Sequence, residues 1–399
     1  MASIEKRTEN SYRITVSLGY TPDGKKLKRT KTIKLDPGLT ERQREKELQR
    51  QAALFEEAVQ RGTYFEPSSF TVESFAEKWL DEHGKSLANK TRLRYEGILR
   101  GRVAQALGHL KLEKLKPMHL VEFYGNLQED GIREDGRDGK LSNSTIQYYH
   151  RVLSAMLADA VRWGLLKENP CEKVKPPKAT SKEMPQLDEG DMRKLLTALE
   201  GEPLKYRAII ELAFVTGCRR GELAALQWKH IDFDNGILHI RQAAEYIPSV
   251  GVQVKPPKTK AGVRDIALPA STVRLLKEYR KWQLEQKMRL GNLWQDGDWV
   301  FTKWNGDMIF PDTIGDIFKK FLKRHNLPAI RFHDLRHLAA TLLIHEGLNV
   351  RAVAGRMGHA NPDVTMRVYA HALRSADKQA ANIMESVINK KTPAEHKQA

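Results

Sequence analysis

The chain has 399 residues, more than one ordinary domain holds, so two or three domains are expected. Lys and Arg number 67 against 50 Asp and Glu, a net charge of +17, which points to a polyanionic partner and to nucleic acid before a membrane surface. No apolar run is long enough to span a bilayer, the polar start MASIEKRTEN is not expected to be a signal peptide, and Cys171 and Cys218 make no disulfide framework; these features argue against a membrane or secreted protein and for a cytoplasmic one.

From the N-terminus, SYRITVSLGYTPDGKKLKRTKTIKL reads as a β-hairpin. Tyr12, Ile14, Val16 and Leu18 alternate with polar residues, and Thr21-Pro22-Asp23-Gly24 supplies the turn. The return strand carries Lys25, Lys26, Lys28, Arg29, Lys31 and Lys34, a basic edge suited to nucleic acid or simply to solvation. Residues 40–61 follow as a helix with Leu48, Ala52, Phe55 and Val59 on its apolar stripe. A linker at 65–71 precedes a helical region from Val72 to about Asn169. There Leu93, Ile98 and Leu99 are expected inward, and Lys90, Arg92, Arg94, Arg100 and Arg102 outward. In the last helix Ile146, Tyr149, Val152, Leu153, Met156, Leu157, Ala160 and Val161 recur at helical spacing. The Pro- and Lys-rich stretch 168–185 marks the main boundary. The remainder is mostly helical, with strands in GILHIRQAAEYI and VRDIALP. The expected division is 1–66, 70–172, a linker at 173–185, 186–390 and a tail at 391–399. The expected class is mainly α with small β-sheets.

Four stretches of the third region could carry chemistry. In TGCRRGEL, Arg219 and Arg220 open a helix whose dipole disfavours them, so an anion or Glu222 is their expected partner. In KPPKTKAGVRDIALP, Lys258 and Lys260 sit on a turn between strands, where a lysine can act as a mobile cation or a proton donor. In RFHDLRHLAATLL, His333, Arg336 and His337 share one helix face. The two histidines stand at metal-ligand spacing, but a metal site would want a third ligand and a glutamate where Asp334 stands, and Arg336 would repel the cation. An anion site is better served. In GRMGHANPDVTMRVYAHA, Gly358-His359 ends a helix, Asn361-Pro362 begins another, and Tyr369 follows.

The ordered set Arg219, Lys258, His333-x-x-Arg336-His337, Gly358-His359 and Tyr369 resembles the tyrosine recombinases, or phage integrases. The layout ahead of it resembles integrases of phages and integrative elements of Gram-positive bacteria. The resemblance implies a site-specific DNA strand transferase with a small arm-binding domain, a helical core-binding domain and a catalytic domain. It implies that Tyr369 is the nucleophile, that Arg219 and Arg336 clamp the phosphate, and that His333 and His359 assist. Lys258, taken over its neighbour Lys260, would protonate the leaving oxygen. Glu222 would orient the site, and His337 would pack. It implies no metal and no other cofactor. Its expected partners are double-stranded DNA with core- and arm-type sites, a homotetramer on paired DNA sites, an excisionase and a host DNA-bending protein. The segment 375–390 would dock on a neighbouring protomer. The alternatives are a type IB topoisomerase-like enzyme and a catalytically inactive DNA-binding protein.

Overall fold

The computed structural model describes residues 2–20, 24, 26–61, 69–179, 189–248, 250–361, 381 and 384–385. The backbone divides into two compact units, Met1–Lys182 and Glu183–Ala399. Helices dominate, with short antiparallel sheets between them.

The first unit begins with a three-stranded sheet: β1 (Ser3–Thr8), β2 (Ser11–Tyr20) and β3 (Lys26–Lys34), in that spatial order. β1 was not legible in advance, because its only apolar interior residue is Ile4 and its side chains all stay exposed. On β2, Tyr12, Ile14 and Val16 are buried as their alternation requires, whereas Leu18 is exposed. The register slips between Ser17 and Gly19, and this bulge carries Leu18 off the buried face. The turn Thr21–Asp23 lies outside the described residues. Helix α1 (Glu41–Gln60) covers the sheet, burying Leu48, Ala52, Phe55 and Val59. In β3, Lys28 and Lys34 pair with Ser17 and Ser11, while Arg29 and Lys31 pair with Val16 and Ile14. Paired residues share a face, so the basic side chains flank the sheet on both sides.

The helical region has its own core. It comprises α2 (Val72–His83), α3 (Asn89–Ile98), α4 (Ala104–Leu107), α5 (Pro117–Asn126) and α6 (Asn143–Arg162). Thr71 and Ser74 form a reciprocal cap that starts α2. Two expectations fail here. Leu93 is exposed, and Arg102 is buried. A single wide turn, Leu99–Val103, joins α3 to α4 and leaves helical geometry at Gly101. This kink turns Arg102 inward, where it donates to the Ile132 carbonyl and pairs with Glu134. Its guanidinium thereby pins the Gly- and charge-rich loop before α6. The proline-rich segment also joins this core at first: Pro170, Cys171 and Val174 are buried.

The second unit holds α7 (Glu189–Glu200), α8 (Leu204–Thr216), α9 (Arg220–Ala224), β4 (Ile231–Asp232), β5 (Ile237–Ile240), β6 (Ala243–Ile247), β7 (Gly251–Lys255) and β8 (Arg264–Ala267). It continues with α10 (Ala270–Leu290), α11 (Pro311–Arg324), α12 (Phe332–His345) and α13 (Val350–Met357). The single strand expected across 236–247 is two strands in two sheets. β5 lies between β4 and β8, and β6 pairs with β7 alone. The chain breaks at Arg241-Gln242, where Gln242 reaches across to the Ala225 carbonyl at 2.6 Å. One core, including Leu212, Leu226, Leu276, Phe301, Phe318 and Leu335, supports α8, α10, α11 and α12 together. Segment 375–390, expected to dock on a neighbour, lies outside the described residues except for Ala381, Met384 and Glu385.

Asp159 is a buried carboxylate in α6 that accepts the Trp79 indole N–H at 2.6 Å. Asp159→Ala strands that donor in an apolar core. It is expected to cost about 1–3 kcal/mol in equilibrium urea unfolding of the full chain. A loss near zero would mean that the indole finds another partner.

Candidate active site

Helix α8 ends in Gly217, whose left-handed φ of 62° turns the chain sharply into α9. A Cβ at this position would meet the Met357 thioether and stand 3.6 Å from Arg336 Cγ, so α8, α12 and α13 approach closely at a backbone conformation that favours glycine. Arg219 is the N-cap of α9. Its backbone N–H donates to Glu222 Oε2 at 2.9 Å, its Nη1 to Glu222 Oε1 at 2.8 Å, and its Nη2 to the Gly358 carbonyl at 3.1 Å. The partner expected from sequence, Glu222, is therefore present. Arg220 points elsewhere and pairs with Asp312.

On α12 the side chains divide. Asp334 turns back to cap the helix through Arg331, which donates from its backbone at 2.8 Å and from Nη2 at 2.9 Å. His333 and His337 meet edge to face at 4.9 Å between ring centres. Arg336 is 2% exposed and donates from Nη1 to the Gly217 carbonyl at 2.6 Å. Its Nε and Nη2 are buried with no hydrogen-bond partner among the described residues, as is His337 Nδ1. Such orphaned donors on a charged group are rare and costly. Burial, then repulsion from Arg219, pushes the Arg336 guanidinium down to about 10. Among the described residues no three His, Cys, Asp or Glu side chains are placed to hold a metal.

Helix α13 ends at Gly358, φ 67°, which delivers His359. Partial burial, then Arg336 and Arg219, push His359 down to about 4. The same forces, with His337 second to burial, push His333 to about 4, although the residue is exposed. Arg219, His333, Arg336 and His359 thus sit within electrostatic reach of one another. Lys258 is exposed on the loop between β7 and β8 and makes no hydrogen bond or ion pair among the described residues. Tyr369 lies outside the described residues.

Arg264, unremarked in the sequence, is buried beside this group. It pairs with Glu222 at 2.9 Å and donates from Nε to the Arg356 carbonyl at 2.8 Å. The alternation of β8, which buries Arg264 and Ile266 and exposes Asp265, was the available signal. Burial pushes Glu222 up, but Arg264 and Arg219 outweigh it and hold the carboxylate ionised. Cys218 is buried too, its thiol pushed up to about 11, which leaves it inert.

The depressed histidines set a pH dependence. Between the unfolded value of about 6.5 and the folded value of about 4, the unfolded chain binds more protons. Stability is therefore unaffected by these groups above pH 6.5 and is lost as pH falls toward 4. In NMR titration of the free protein, His333 and His359 are expected to remain neutral down to pH 5; midpoints near 6.5 would contradict the described site.

Two family models match the chain: the phage integrase family over residues 185–375, and the phage integrase N-terminal SAM-like domain over residues 71–128. A XerC-like tyrosine recombinase of Caldanaerobacter subterraneus is 27% identical, across 96% of this chain and 97% of that relative. The ICEBs1 integrase of Bacillus subtilis is 28% identical, across 69% of this chain and 72% of its own length. Among solved structures, the Tn1549 transposon integrase in complex with circular-intermediate DNA superposes with a TM-score of 0.66 at 22% identity, covering 78% of this chain and all of that one. A lambda integrase tetramer bound to a Holliday junction gives 0.55 at 18% identity, covering 92% and 94%. Both structures share the fold. Matched from the helical region through the arginine and histidine motifs, the chain belongs to the phage integrase family of tyrosine recombinases and is a site-specific DNA recombinase.

Proposed function

We propose that this recombinase integrates and excises a mobile DNA element through a 3′-phosphotyrosyl intermediate. The observation that carries the reading is Arg336: a buried guanidinium whose Nε and Nη2 have no partner among the described residues, beside Arg219 and two neutral histidines. A non-bridging phosphate oxygen supplies the acceptors and the charge that this cluster lacks. In the reaction, the Tyr369 hydroxyl oxygen attacks phosphorus and the bond to the 5′ oxygen breaks. The electron pair leaves with that oxygen, which takes a proton from Lys258 Nζ. His333 accepts the tyrosine proton, and His359 donates a hydrogen bond to the phosphate. Arg219 and Arg336 hold the added negative charge of the transition state, the electrostatic term that dominates phosphoryl transfer. The tyrosyl ester conserves the bond energy, so rejoining needs no nucleotide. Glu222 keeps Arg219 in place, and His337 packs.

The remaining modules fit the same task. Residues 1–66 bind arm-type sites through the basic flanks of β3, and residues 70–172 clasp the core site. In the latter, Arg94 lies 3.9 Å over the Tyr148 ring and Arg151 is 5.7 Å from its centre, a cationic outer surface. Residues 173–185 link this module to the catalytic domain, 186–390. The working form is a cytoplasmic homotetramer on paired sites, aided by an excisionase and a host DNA-bending protein.

The test is a nicked duplex copied from repeats beside the gene, with covalent protein–DNA adduct as the readout. Wild type is expected to form the adduct and Tyr369→Phe none. Arg336→Ala should slow adduct formation by about 10²–10³-fold. Lys258→Ala should be slowed far more than Lys260→Ala. An adduct persisting in Tyr369→Phe would overturn the nucleophile; binding without cleavage of any site by wild type would indicate an inactive DNA-binding protein.

A further inference from the structure

We infer that Arg264 is a positioning residue for strand cleavage, one that fixes the Lys258 loop and the Gly358–His359 turn against the carboxylate that also holds Arg219. The inference rests on the reading of Lys258 as proton donor. Arg264 is 9% exposed and spends its donors on three separate stretches of chain. Nη1 and Nη2 meet Glu222 at 3.2 and 2.9 Å. Nε meets the Arg356 carbonyl at 2.8 Å, two residues before Gly358. Nη1 also meets the Gly262 carbonyl at 3.1 Å, at the base of the lysine loop.

Two close approaches carry these anchors to the functional side chains. A Cβ on Gly262 would stand 2.6 Å from the Pro257 ring, and Pro257 directly precedes Lys258. A Cβ on Gly358 would stand 2.8 Å from the Ala261 carbonyl and 3.0 Å from Arg264 Nη1. The loop base and the His359 turn are therefore pressed onto each other around one guanidinium. Beyond that base the exposed Lys258 has no anchor of its own among the described residues. A buried ion pair adds little net stability over apolar packing. What the planar, five-donor fork adds is the fixed placement of several acceptors at once, which a lysine ammonium does not reproduce. With its donors spent on these protein partners, Arg264 acts through the groups it holds.

The experiment is single-turnover cleavage by the full chain of a duplex copied from the DNA beside the gene. It is run with an ordinary scissile phosphodiester or with sulfur in place of the 5′ bridging oxygen. When the P–O bond breaks, the leaving oxygen needs the Lys258 proton. When the P–S bond breaks, the thiolate leaves with the electron pair and needs none, because a thiol has a pKa of only about 8.5. Arg264→Gln, Arg264→Lys and Lys258→Ala are each expected to cleave the ordinary linkage about 10²-fold or more slowly, the scale of lost general-acid catalysis. Sulfur should narrow the defect of each by about tenfold or more, the Arg264 variants keeping the part that comes from the His359 turn, while Arg336→Ala keeps its full defect. Arg264 variants whose defect is no smaller on sulfur than on the ordinary linkage, or that cleave the ordinary linkage at the wild-type rate, would overturn the proposal. If sulfur restores the Arg264 variants but not Lys258→Ala, the positioning role stands and the donor is another group on the loop. Thermal unfolding and DNA binding monitor the fold; should Arg264→Gln unfold, Arg264→Lys, which keeps its charge opposite Glu222, decides the matter.

Discussion

Arg219 and Arg264 both pair with Glu222, and Arg336 is buried beside them with a backbone carbonyl as its partner among the described residues. Burial first, and then repulsion among like charges held this close, pushes the Arg336 guanidinium down to about 10 and His333 and His359 to about 4. The arrangement is stable because the core beneath it is large and because each arginine is tied to a carbonyl or to Glu222. Among the described residues, Glu222 is the only carboxylate that pairs with any of these three arginines. In the proposed reaction a DNA phosphate supplies further negative charge and accepts a hydrogen bond from His359. In that reading, binding and catalysis draw on one imbalance built into the folded chain.

Several elements exist to hold this imbalance. α8 and α13 both end in left-handed glycines, Gly217 and Gly358, and these turns bring Arg219 and His359 to one place. α12 supplies Arg336 from its buried side, since Phe332, Leu335, Ala339 and Ala340 anchor the helix in apolar surroundings. Asp334 is drawn away to cap that helix, so the acidic side chain that a zinc helix would direct to catalysis has a structural task here. β8 contributes Arg264 to the same cluster. The i, i+4 histidines follow from helical spacing, and Arg336 between them is the group that the fold is arranged to bury.

Much of this was legible in the sequence because it depends on local periodicity. The stripes of α1 and α6, the break at Gly217 and the helix end at Gly358 follow from spacing and glycine chemistry. The order of the arginine, histidine and tyrosine motifs indicated the family. What escaped depended on contacts distant along the chain. Arg102 reads as a surface residue until a kink at Gly101 turns it inward. Leu18 reads as core until a bulge displaces it. Arg264 reads as one more basic residue, because its partners Glu222 and Arg356 lie 42 and 92 positions away. The split of 236–247 into two sheets likewise depends on Gln242 finding Ala225.

The central claim is that Arg336 is buried in order to hold a negative charge. The most direct measurement is cleavage of a half-site duplex in which a methyl group replaces one non-bridging oxygen of the scissile phosphate, making the linkage neutral. The account predicts that the Arg336→Ala defect, relative to wild type, shrinks by at least about tenfold on this DNA, some 1.4 kcal/mol of charge-dependent stabilisation. An Arg336→Ala defect of equal size on the charged and the neutral linkage would contradict it.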